Sequence, residues 1–408
     1  MDRRKFMGGA MAAVAAGAAR ADARKHDLVV RDVRALVNGA FTPCDLGITG
    51  DRIAAIAAPG RLEGVKIIER KGLYASPGWV DLHVHYVDWR HRKSAGSSIA
   101  QLGLGEGVTA LMDAGTVGAY NYERLEQAID DAPEPAPECF ALLHIQREGI
   151  KLSEFYRTKT GWDDLPAMEK VIAANARRIR GLKYRADKEV SDPKDRLYYL
   201  RKIREAGDAF KLPVMIHIGD PPPTLVDILP FLKQGDMVTH FLRPADNAIV
   251  DGSGQLRPEV KEAYARGVRF DLGHGMGSYS FFTAQAALDQ GFTDFTISSD
   301  LYIVSRPLYA RTFANVLTNV LVCGMPLADV IERASTRPAK FLGLQREIKE
   351  GAEATLTLFS VESGNFTCLD VEKKKRKSEQ RIIPWWTIFK GQDLSAGARD
   401  RKLYLKTR

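Results

Sequence analysis

Residues 78–85 read Gly78-Trp79-Val80-Asp81-Leu82-His83-Val84-His85, an apolar run that closes on two histidines separated by one residue. Branched and aromatic residues in so short a run mark a buried strand. Side chains two positions apart in a strand share a face, so the imidazoles of His83 and His85 point the same way. Two imidazoles converging on one point suit a borderline-soft divalent ion such as zinc. Alone the pair is a weak signal, because packed or solvated histidines are commoner than ligands.

The rest of the chain repeats the pattern. Of its eight histidines, three more close apolar runs: His217 after Pro213–Ile216, His240 after Asp236–Thr239, and His274 after Arg269–Gly273. Asp300 ends Phe295–Ser299, and Lys183 ends Arg180-Gly181-Leu182. The sequence predicts eight strands, at 78–85, 108–115, 138–145, 179–186, 213–220, 236–242, 268–275 and 295–300. Helix-compatible stretches at 122–131, 164–178, 195–210 and 258–266 lie between them. Eight strand-then-helix units in roughly 260 residues predict an α/β fold, the (β/α)8 TIM barrel. The polar candidates fall at the carboxyl ends of the strands, which is the catalytic face of such barrels.

Short strands flank this region. Residues 27–37 and 45–56 alternate with turn residues, and 351–359 reads likewise. Strands from both termini are expected to pair into a small β-sandwich domain, 22–75 with 345–408, around a barrel at 76–344. Ahead of it, Asp2-Arg3-Arg4-Lys5-Phe6-Met7 is followed by an Ala/Gly-rich apolar stretch and Ala19-Arg20-Ala21. This predicts a twin-arginine signal peptide over 1–21, with the twin-arginine export machinery as partner and a periplasmic destination. Cys44, Cys139, Cys323 and Cys368 are widely spaced and read as buried thiols.

The chain carries 59 Lys+Arg against 51 Asp+Glu, a formal net charge of +8. Much of the excess sits in the leader, in Lys373-Lys374-Lys375-Arg376-Lys377 and from Arg399 to Arg408. Charge runs of this kind are solvated segments. Without aromatic interleaving or a nucleic-acid-binding motif, they give no reason to expect a nucleic-acid partner.

Taken together, these residues resemble the amidohydrolase superfamily, in its dihydroorotase-like and acyl-deacetylase branch. The resemblance spans nearly the whole mature chain, including Pro77–His85 and the closing Ser335-Thr336-Arg337-Pro338-Ala339-Lys340-Phe341-Leu342. It implies two divalent metal ions, zinc foremost, with His83 and His85 on one and His217 and His240 on the other. Asp300 is implied as a ligand and the proton-transfer base, and Lys183 as an N6-carboxylysine bridging both metals. The chemistry agrees: two cations sharing a water lower its pKa by several units. A carbamate supplies the charge and the two oxygens that an amine lacks, and a carboxylate can carry the proton to the leaving group.

His274, within Gly273-His274-Gly275, reads as a substrate or transition-state contact, its glycines letting backbone approach a ligand closely. His144, which ends the third strand, reads as a pocket-wall or core histidine. Dihydroorotases place an arginine two residues after the H-x-H pair; here that residue is Val87. Arg243 and Arg185 are alternative carboxylate clamps, with salt bridges elsewhere the competing reading for each. The expected function is a binuclear metal hydrolase cutting an acyl C–N or C–O bond of a small molecule, such as an N-acyl amino acid or acyl ester. The alternatives are a cyclic amidase of the dihydroorotase or hydantoinase kind, or an exported binding protein without catalysis. The sequence leaves open whether the chain forms a homo-oligomer.

Overall fold

The computed structural model of the protein describes residues 25–87, 98–150, 163–244, 246–303 and 305–395. The expected signal peptide and the segment Arg399–Arg408 lie outside the described residues. The chain opens with β1 (His26–Val37), β2 (Ala40–Thr49), β3 (Arg52–Ala57), β4 (Gly64–Glu69) and β5 (Leu73–Pro77). Seven strands of a parallel sheet follow: β6 (Trp79–Val84), β7 (Val108–Asp113), β8 (Glu138–His144), β9 (Ile179–Ala186), β10 (Val214–Ile218), β11 (Met237–Thr239) and β12 (Arg269–Asp271). The last three are β13 (Leu356–Leu369), β14 (Lys375–Phe389) and β15 (Gln392–Ser395).

The helices are α1 (Ile99–Leu102), α2 (Glu123–Asp130), α3 (Leu165–Ala174), α4 (Tyr198–Phe210), α5 (Leu225–Ile228), α6 (Pro258–Ala265), α7 (Phe281–Asp289), α8 (Phe313–Leu321), α9 (Leu327–Ala334) and α10 (Thr336–Leu342). Their starts follow local chemistry. Asp164 Oδ1 accepts the Ala167 N–H at 3.0 Å ahead of α3, an N-cap, and Pro258 opens α6 where its missing N–H costs nothing. In α4, Tyr199, Leu200, Ile203 and Ala206 form one buried stripe at helical spacing.

The parallel strands run in sequential order β6 to β12, and both faces are buried, as helix-covered parallel sheets require. Val80, Leu82, Ala110, Met112, Phe140, Leu142, Met215 and Met237 form one apolar layer with Ala339 and Leu342 of α10. Two residues beyond that layer on β8, β10 and β11 come His144, His217 and Thr239, which therefore leave the same face. Several strands stop short of their predicted ends. His240 adopts φ 74° and Gly273 φ 52°, so the chain turns away from extended geometry just past β11 and β12.

The eighth predicted strand, 295–300, makes only single bridges, Thr296 to Asp271 and Leu301 to Val84. It still bonds both edges of the sheet. Leu272 N donates to Thr296 O at 2.9 Å and His274 N to Ser298 O at 3.2 Å. On the other side Asp300 N donates to His83 O at 2.7 Å and His85 N to Leu301 O at 3.1 Å. Ser298 and Ser299 turn their hydroxyls onto Asp271 and Asp81, and Asp300 has φ 50°, which breaks the regular ladder.

Strands from both ends of the chain pair in a separate sheet domain, as expected. The strands flanking the parallel sheet form one continuous eight-stranded sheet, in the order β15-β14-β13-β5-β1-β2-β3 with β4 also on β1. A bulge between Val30 and Val33, with Asp32 at φ 46°, bends β1. Its first half pairs with β4 and its second with β5. The two sheets meet at Trp79, fully buried, whose ring lies 6.0 Å from that of Phe313 and 5.6 Å from that of Phe359.

Candidate metal centre

Strand ends and the 296–301 segment carry the expected site residues to one place. His85 Nε2 lies 3.3 Å and His83 Nε2 3.7 Å from Asp300 Oδ1, and ligand atoms of these three residues all lie within 4.8 Å of one another. Lys183 Nζ is 3.4 Å from His83 Nε2. The His240 ring centroid lies 4.8 Å from that of His83 and 4.1 Å from that of His217. All six residues expected around metal are thus neighbours in one cluster, buried except for the half-buried His217 and Asp300.

Hydrogen bonds decide which ring nitrogen bears the proton. Thr239 gives its hydroxyl proton to Asp271 Oδ2 at 3.0 Å, so it can only accept from His83 Nδ1, 2.9 Å away. Thr116 likewise donates to Asp113 Oδ2 at 2.7 Å and accepts from His85 Nδ1 at 2.7 Å. His240 Nδ1 donates to the Gly273 carbonyl at 2.7 Å. Each ring therefore turns an Nε2 lone pair inward. Burial holds His83 and His217 well below the usual histidine range and His240 at about 3. Neutral imidazoles result, as metal binding requires.

Three buried carboxylates brace this shell. Asp271 also accepts from Ser298 Oγ at 2.6 Å and Thr296 Oγ1 at 2.7 Å. Asp81 accepts from the Ser299 N–H at 3.0 Å, the Ser299 hydroxyl, and the His83 N–H at 3.2 Å. Burial pushes Asp81 up to about 7 and raises Asp113 and Asp271. It also brings the Lys183 ammonium down to about 7.

Positive φ at His240 and Asp300 stores backbone strain at two site residues, a conformation that surrounding contacts must enforce. The glycines beside His274 serve those contacts. A Cβ at Gly275 would stand 2.2 Å from Asp300 Oδ2, and one at Gly273 2.7 Å from His240 Nδ1. They admit neighbouring side chains, where the sequence suggested an approaching ligand.

The candidate substrate contacts are placed differently. His274 is buried and stacks on Tyr279 at 4.8 Å. Its Nδ1 donates to Gly275 O at 3.2 Å and its Nε2 accepts from Asn319 Nδ2 at 3.0 Å, so both nitrogens have partners inside the protein. Arg243 donates to Ile218 O at 2.8 Å and to Asp220 Oδ1 at 2.7 Å. Arg185 lies 3.5 Å from Asp187 Oδ2, and its charge helps lower His217 and Lys183. Val87 is buried.

The donor set fits a divalent metal. Neutral imidazole lone pairs and a carboxylate converge, and His240 Nε2 is buried without a hydrogen-bond partner, an atom that an ion would satisfy. No family model matches the chain. Over 391 residues it is 29% identical to a deacetylase of Enterococcus faecalis, covering 90% of this chain and 98% of that one. A solved structure of an adenine deaminase superposes with a TM-score of 0.81 at 27% identity, over 91% of this chain and 100% of the other. A dihydroorotase structure gives 0.81 at 26%, over 91% and 99%. These likenesses support an amidohydrolase superfamily member. The protein is a hydrolase, and His83, His85 and Asp300 form its candidate metal site.

Sequence reasoning passed over Asp81, Asp113, Asp271, Thr116 and Thr239. The signal existed for the acids: each interrupts an otherwise apolar run, as in Val80-Asp81-Leu82 and Phe270-Asp271-Leu272, where a buried charge needs a purpose. The threonines carry no such mark.

Proposed function

We propose that this protein is a binuclear metal-dependent hydrolase that cuts the acyl C–N or C–O bond of a small N-acylated amino acid or acyl ester. Its scaffold is a (β/α)8 barrel closed through residues 296–301, spanning 76–344, with 22–75 and 345–408 as the flanking domain. The observation that carries the reading is the buried set of inward Nε2 lone pairs on His83, His85 and His240 beside Asp300 and Lys183. The name of the Enterococcus relative supports the deacetylase choice.

His83 and His85 would hold one zinc ion, His217 and His240 a second, with Lys183 as N6-carboxylysine between them. When bound, such metals lower the pKa of the attacking water and polarise the acyl oxygen. Asp300, on a strained backbone opposite His85, takes the proton from that water and delivers it to the leaving group. The Thr116–Asp113 and Thr239–Asp271 pairs hold the two imidazoles in the tautomer that leaves Nε2 unprotonated. Arg185, beside Asp187, would offer positive charge to a substrate carboxylate. Arg243, held by Asp220, would position that loop. The leader directs the folded, metal-loaded protein to the periplasm.

The test is a library of N-acyl amino acids, acyl esters, dihydropyrimidines and hydantoins offered to zinc-loaded protein, with acid release measured. Turnover of acyclic acyl compounds supports the reading. Turnover confined to the cyclic amides would replace it with the cyclic-amidase alternative, which the missing arginine at Val87 already disfavours.

A further inference from the structure

One buried imidazole at the site has the opposite polarity. His144 closes β8, is fully buried, and its Nδ1 accepts the Gln146 backbone N–H at 3.1 Å. A backbone N–H can only donate, so Nδ1 carries the lone pair and the neutral ring bears its proton on Nε2. That Nε2–H has no acceptor among the described residues. A ring pinned this way cannot bind metal through Nε2. It is a donor lacking an oxygen, and a buried donor without a partner calls for one.

The neighbouring strand identifies the acceptor. In the parallel pairing of β8 and β9, His144 stands opposite Lys183, so both side chains leave the same face side by side. A Cβ added at Gly115 would stand 2.7 Å from Lys183 Cβ and Cγ and 3.4 Å from His144 Cδ2. The lysine stem and the Cδ2–Nε2 edge of the imidazole thus abut one glycine. An ammonium has no lone pair to offer His144. A carbamate does: the Lys183 amine nitrogen bonds the carbon of carbon dioxide, one C–O π pair moves onto oxygen, and the nitrogen releases a proton to water. We propose that His144 is a positioning residue for this carbamate, its Nε2–H donating to one carbamate oxygen. The proposal rests on the carboxylated Lys183 of the functional reading above.

Zinc-free protein reconstituted with zinc over a series of 13C-bicarbonate concentrations tests it, with the carbamate read by 13C NMR. Wild-type protein should show the carbamate resonance. His144→Leu should need roughly tenfold more bicarbonate for half-occupancy, the scale of a lost charge-assisted hydrogen bond. His144→Gln, whose amide can place an N–H near the Nε2 position, should recover most of it. No carbamate resonance in zinc-loaded wild type would overturn the reading of Lys183, and His144's role with it. Carbamate formation in His144→Leu at wild-type bicarbonate concentrations would overturn only the role of His144. Should the leucine variant fail to fold, 15N imidazole spectra of the wild type decide without it. The resonance lost in His144→Gln should be an Nε2–H tautomer whose proton shifts on adding bicarbonate; an Nδ1–H tautomer or an unmoved proton overturns the proposal.

Discussion

Asp300 presents Oδ1 to His83 and His85 while Oδ2 packs against Gly275, 2.2 Å from where a Cβ there would stand; on the proposed function this carboxylate is also the proton-transfer base. Asp300→Asn keeps the shape and removes the basicity; turnover of the zinc enzyme should fall by roughly 10²–10⁴-fold with metal content retained. Kinetics beside elemental analysis check this, and near-wild-type turnover would reassign the base. The threonines make a different prediction. Thr116→Val and Thr239→Val keep volume but lose the hydroxyl between imidazole and carboxylate, so zinc affinity should drop by about 10–100-fold in chelator competition. Serine at either position should restore it; unchanged affinity in the valines would make these hydroxyls incidental.

Asp81 gives a pH prediction for the metal-free protein. Its carboxyl, raised to about 7 in the fold, keeps its proton where an unfolded-chain aspartate has ionised, near 4. Between those limits the folded state binds more protons, so this group makes stability fall as pH rises. Asp81→Asn should flatten that slope in urea denaturation at about pH 5 and about pH 7.5; an unaltered slope would contradict it.

At the scale of elements, strand runs and strand-end residues were legible because period and burial leave a mark on sequence. Seven of the predicted strands appear in order, and helices α2, α3, α4 and α6 lie within their predicted stretches. Residues 295–300 read as a strand because Phe295-Thr296-Ile297 alternates properly. What the alternation could not reveal is that Ser298 and Ser299 serve Asp271 and Asp81 in place of a ladder. The hairpin of β13 and β14, whose second strand carries the lysine-rich run, was hidden by its charge: Lys375 and Lys377 are exposed on a strand. Among site residues, the clustering of His83, His85, Lys183, His217, His240 and Asp300 was legible because histidines are rare and chemically specific. The occupied nitrogens of His274 and the Arg243–Asp220 pair were not, since partners distant in sequence leave no local pattern.

At the scale of the molecule, the two sheets share a core. Trp79 bridges them, its Nε1 donating to Ser76 Oγ at 3.1 Å and its backbone N–H to Thr357 Oγ1 at 3.1 Å. Buried Arg346 ties Glu138 at the start of β8 to Glu353 ahead of β13. Trp79→Ala should destabilise the protein by about 3–5 kcal/mol, read from denaturant midpoints; because Trp79 begins the strand that ends in His83, zinc affinity should fall with it. A variant losing stability with intact zinc affinity would show the two sheets to be independent supports.

On the proposed function, these strand ends converge to hold two metal ions. Anomalous diffraction at the zinc edge from crystals of active, zinc-loaded protein tests it most directly. Two peaks about 3.5–4 Å apart are expected, one coordinated by His83 and His85, the other by His217 and His240. A single peak, or zinc bound away from these histidines in active protein, would contradict it.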